Sequence, residues 1–146
     1  MTDMETVIHE YNSNIDHISI CIEDRLRNAS RDTDQYWIVR YYRWTRTPST
    51  TGYVAKGNLE CAILKASEML KTKYKDCKNG YIHHWLSEAG SDILDAEIYN
   101  TLQKDPSANI MELFSLERVI DFVYEQLIKD FSFEDSNLYF EKVEFI

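Results

Sequence analysis

Residues 35–46, QYWIVRYYRWTR, place five aromatic rings and three arginines in twelve positions. Aromatic and β-branched side chains at this density favour extended chain, so the segment reads as a strand. A period of two sends Trp37, Val39 and Tyr41 to one face and Tyr36, Ile38, Arg40, Tyr42 and Trp44 to the other. This strand decides the fold class, because much of the chain around it is patterned for helix.

Upstream, Met4, Ile8, Tyr11, Ile15, Ile18, Ile22 and Leu26 recur at steps of three and four, which is one helical face. Asn12, Ser13 and Asn14 mark a possible break within it. Downstream, RTPSTTG (46–52) reads as a loop and YVA (53–55) as a short return strand. Asn58 is placed to cap a helix whose inner face carries Leu59, Ile63, Ala66, Leu70 and Tyr74. KNG at 78–80 reads as a stop, and YIHHWLSEA (81–89) fits no single pattern. Ser91 is read as the cap of a helix through about Lys104, ended by Pro106. Asn109 and Glu112 have the spacing of a capping box, ahead of Leu113, Leu116, Ile120, Val123 and Leu127 at helical steps. NLYFEKVEFI at 137–146 reads as a closing strand. The expectation is a helix-dominated α+β single domain over residues 1–146, with a small antiparallel β-sheet from about 35–45 and 137–146 packed on three or four helices.

Composition agrees with one folded domain: 146 residues, 44% apolar, four glycines and two prolines. The three cysteines, an odd number, lack paired spacing and are expected to stay reduced. MTDMETVIHEYN lacks the basic and apolar regions of a signal peptide, and no apolar run reaches the length of a membrane span. A cytoplasmic protein that does not enter membranes is expected. The net charge is −9. It is distributed unevenly, with +4 over residues 35–59, +2 over 60–83, −5 over the first 34 residues and −10 over 84–146.

Signals for chemistry are weak. Cys77, His83 and His84 lie near one another in sequence but lack the second ligand pair of a structural zinc site. As an enzyme site they have no local signature, although they are the best candidates if one exists. Asp76 and Lys78, with Glu60 or Glu68 upstream, imitate a metal-nuclease spacing on what reads as a helix end. TTGYVAKGN has glycines too far apart for a phosphate loop. No metal, no cofactor and no enzymatic activity are expected.

Binding patterns are clearer. Glu88, Asp92, Asp95 and Tyr99 follow steps of four, three and four, an outward stripe opposite Leu94, Ile98 and Leu102. Glu117, Asp121, Tyr124 and Glu125 repeat the arrangement. Acids supply complementarity to a basic protein and tyrosines supply contact area. The profile is similar in charge and size to bacterial immunity proteins and other inhibitors of nuclease toxins. The expectation is therefore a small acidic inhibitor of a basic partner, a toxin or nucleic-acid-processing enzyme. The alternative surface is Arg40, Tyr42, Arg43 and Trp44, whose rings and cations suit single-stranded nucleic acid or a regulatory contact. The acidic flanks disfavour nucleic acid, and oligomeric state is left open.

Overall fold

Asn14 divides the N-terminal amphipathic run in two. In the computed structural model, which describes residues 3–28, 35–41, 52–73, 80–131 and 138–144, α1 spans Asp3–Ser13 and α2 spans Ile15–Asn28. The Asn14 side chain donates to the Glu10 carbonyl at 2.7 Å, while its own carbonyl accepts from Ile18 at 2.9 Å. One asparagine thus closes the first helix and opens the second. Tyr11, Ile18, Ile22 and Leu26 are buried, as their spacing predicts, and Val7 joins them.

The aromatic segment is a strand, β1 (Tyr36–Tyr41), at the centre of a three-stranded antiparallel sheet of order β2–β1–β3. Its neighbours are β2 (Tyr53–Lys56) and β3 (Leu138–Lys142). Ile38 sits opposite Val54 on one side and Glu141 on the other. Val39 is fully buried and Trp37 packs beside it on the core face, as the alternation requires. The expected contrast between Trp37 and Trp44 cannot be drawn, since Trp44 lies outside the described residues.

Helix α3 (Leu59–Lys73) covers the inner face of β1 and β2. The Asn58 side chain accepts from the Cys61 amide at 3.2 Å, the cap expected there. Ile63, Ala66 and Leu70 are buried along its inner face; Tyr74 lies outside the described residues.

The region 80–104 departs from expectation. Gly80 is the first residue of α4 (Gly80–Trp85), and Lys78 and Asn79 of the expected stop lie outside the described residues. That helix continues through a single π-helical turn, Leu86–Gly90, into α5 (Ser91–Lys104). Ser91 is therefore no cap: it sits inside a continuous helix and its predecessor makes no side-chain capping bond. The end at Lys104, ahead of Pro106, is as predicted.

Asn109 accepts from the Glu112 amide at 3.3 Å, but the helix it caps, α6 (Ile110–Leu113), is a single turn. The chain bends at Phe114 and Ser115, and α7 starts afresh at Leu116–Phe131. Ile120, Val123 and Leu127 are buried on α7, whereas Leu113 and Leu116 are not. The buried side chains of all the longer helices and of β1 form one cluster. No helix among the described residues is long and apolar enough to cross a membrane.

Candidate functional site

The stripe on α5 is only partly a stripe. Asp92 and Tyr99 point to solvent, Tyr99 with 56% of its surface exposed. Glu88 is exposed but belongs to the π turn, 3.5 Å from the His84 imidazole. Asp95 turns away from this face. One of its carboxylate oxygens is buried with no hydrogen-bond partner among the described residues. Burial, and then the charge of Asp92, raises its pKa above the ordinary carboxyl value. Burial also raises the Tyr11 phenol, with Asp95 adding to the effect, so the two groups are electrostatic neighbours. Tyr11 stays protonated and donates to the Leu86 carbonyl at 3.0 Å.

This placement has a pH consequence. Between its unfolded and its raised folded pKa, Asp95 binds more protons folded than unfolded. Unfolding free energy therefore falls as pH rises through that window. Ionised Asp95 costs stability at neutral pH, and the cost disappears once pH drops below the unfolded value, about 3.9. Asp95→Asn is expected to raise the melting temperature at pH 7, with the gain shrinking toward pH 4. Calorimetry at both pH values checks it; an asparagine variant less stable than the parent at pH 7 would refute the assignment.

On α7 the expected stripe is half consumed internally. Asp121 forms an ion pair with Arg25 of α2. The Tyr124 hydroxyl donates to the Glu60 carboxylate of α3. The Arg25 guanidinium lies over the Tyr124 ring, 5.6 Å from its centre. Burial raises the Tyr124 phenol, the Glu60 hydrogen bond and charge add to this, and Arg25 offsets part of it. Asp121 and Tyr124 thus fasten α7 to the helices beside it. Glu117 and Glu125 stay exposed and make no ion pair with the described residues.

The bend between α6 and α7 creates a surface that the sequence reading missed. Met111, Leu113 and Leu116 are 38%, 40% and 39% exposed, three large apolar side chains within six residues. Glu112 and Glu117, both exposed, lie among them. Leu116 also borders a small cleft of about 30 Å³ shared with Val7, Glu10 and Phe114. The available signal was Ser115. Its carbonyl accepts the first α7 hydrogen bond, from Val119 at 2.9 Å, so serine stands at the N-terminal boundary position where it is favoured.

The remaining candidates do not converge. Arg40 is half-buried on the central strand, with Nη1 3.4 Å from Glu141 on β3. Tyr42, Arg43 and Trp44 lie outside the described residues, as do Asp76, Cys77 and Lys78. His83 pairs with Asp16 at 2.8 Å, on the α2 side, while His84 pairs with Glu88 along its own helix. Cys21 and Cys61 are free thiols. Among the described residues no cluster of three potential ligands could hold a metal ion. No protein-family model matches this chain, and comparison with curated proteins and with solved structures yields no match.

Proposed function

We propose that this is a non-catalytic binding protein that captures a basic partner on the ledge formed by α6 and the start of α7. The partner class is a nucleic-acid-processing enzyme of the nuclease-toxin type, whose cationic substrate site the acids would occupy. The observation that carries the reading is the exposure of Met111, Leu113 and Leu116 among Glu112 and Glu117. Apolar anchors surrounded by charge have the anatomy of an interface, with a core that supplies contact energy and a rim that guides approach. Glu10 beside the cleft and the chain's net charge of −9 favour a cationic visitor.

The test is capture from the native host by the immobilised chain. A basic protein should be retained and then released by about 0.5 M salt, where screening shortens electrostatic reach to a few ångströms. Glu112→Gln with Glu117→Gln should slow association, whereas Leu113→Ser with Leu116→Ser should speed dissociation. The glutamine pair should shift stability by no more than about 0.5 kcal/mol per substitution, while each serine removes a half-covered leucine and should cost about 1–2 kcal/mol without unfolding the chain. Retention that neither pair alters, or retention of acidic proteins only, would refute this surface.

A further inference from the structure

The outer edge of β2 and the groove beside it take no part in the surface described above. The Gly57 amide donates to the Gln35 carbonyl at 2.8 Å, which fixes the phase of the ladder between β1 and β2. Antiparallel pairing alternates, so Tyr53 and Ala55 direct their backbone groups toward β1, while Val54 and Lys56 direct theirs outward. Among the described residues nothing bonds to those outward groups. Val54 is 63% exposed. Beside this edge lies a groove of about 450 Å³ between β2 and α3, floored by Leu26, Cys61 and Leu64. A second hollow of about 230 Å³ continues it past Met69 and shares Lys65 and Glu68 with it.

The groove has the opposite sign to the protein. Arg27 on its wall is offset by Asp24 at 3.5 Å, Glu68 at 3.8 Å and Glu23 at 3.9 Å, and Glu23 is itself held by Lys71. Lys56 and Lys65 also line it, and neither forms an ion pair with a described residue. The residues lining the groove carry three cations and one acid, and at physiological salt charges act over about 8 Å, so this local excess is what a ligand there meets first.

We propose that this groove takes an extended, acidic peptide segment, which joins the sheet as a fourth strand along β2. The outward amides and carbonyls of Val54 and Lys56 supply the ladder hydrogen bonds. One set of guest side chains would lie over α3, against Leu64 and Lys65, and the alternate set would lie on the Lys56 side. A second copy of this chain is a poorer occupant, because β2 brings Lys56 and no acid to a pairing with itself. The same lysine that discourages self-association at an open edge selects a guest of opposite charge.

The probe is the peptide acetyl-Glu-Val-Glu-Val-Glu-Val-Glu-amide, titrated into the full chain. Binding should weaken with salt and slow amide hydrogen exchange at Val54 and Lys56 by about tenfold or more. Lys56→Glu with Lys65→Glu should weaken binding by at least about tenfold while leaving the unfolding transition in place. The same peptide N-methylated at every residue keeps its charge but has no amide N–H to donate on either edge, and it should not bind. Three outcomes would overturn the proposal: equal binding of the Lys-Val counterpart, protection at β3 instead of β2, or protection from dimer formation without peptide.

Discussion

Gly80→Ala should destabilise the fold by about 3 kcal/mol and lower the melting temperature by roughly 10 °C. Gly80 opens α4 with φ at +76°, in the left-handed region. An L side chain there costs about 1–2 kcal/mol. Space is the second problem. A Cβ at this position would lie 2.5 Å from Ser67 Oγ and 2.8 Å from Lys71 Cε. Ser67 is buried within α3, so that side cannot retreat. Lys71 could move, but its ammonium holds the buried Glu23 carboxylate at 2.8 Å, and moving it weakens that pair. Overpacking of this kind adds about 1–3 kcal/mol. Ser67→Ala in the same chain removes the closest clash and should restore part of the loss, leaving the backbone cost behind. Thermal denaturation followed by circular dichroism reads both variants against the parent. An alanine variant that melts with the parent would show that Gly80 is not held in this conformation.

The position of Gly80 shows where the sequence could and could not be read. A glycine after an asparagine is an ordinary stop signal, and only the close approach of α3 shows that this one is a start. Local signals were legible wherever a residue satisfies its own neighbours. Asn14 bonds back to Glu10, Asn58 caps α3, Asn109 caps α6, and β1 alternates around the buried Val39. What depends on distant partners was not legible. Asp121 and Tyr124 have the spacing of a free stripe, yet Arg25 and Glu60 occupy them. Asp95 looked like one more surface acid until α1 packed against α5. Leu113 and Leu116 continue the period of Ile120 and Val123, and only the bend at Phe114 and Ser115 removes them from the core. The candidate binding ledge exists because of that bend, which is why periodicity alone concealed it.

Inserting one alanine between Ala89 and Gly90 should abolish cooperative folding, and the reason lies in the spacing of the buried residues around that point. Ile82, Leu86, Gly90, Leu94 and Ile98 are all buried, and each lies four residues after the last. In a regular α-helix a step of four overshoots a full turn by about 40°, so the stripe would wind away from the core along its length. The π turn at Leu86–Gly90 takes up the equivalent of one extra residue and turns the stripe back by about 100°. Gly90 lets the turn sit close to its neighbours: a Cβ there would fall 3.0 Å from the Tyr11 hydroxyl and 3.1 Å from the Trp85 ring. The Tyr11 hydrogen bond to Leu86 ties the same turn to α1. The turn already holds its one extra residue, so a further residue is not absorbed and rotates everything beyond it by about 100° relative to α4. Leu94 and Ile98, both fully buried, would leave the core together. At about 1.5–3 kcal/mol for each apolar side chain, that loss alone is on the order of 5 kcal/mol, comparable to the whole stability of many domains. Ala89→Ser keeps the length at an exposed position and should change stability by no more than about 0.5 kcal/mol. An insertion variant that still melts in one sharp transition near the parent's temperature would show that the π turn does not set the register of α5.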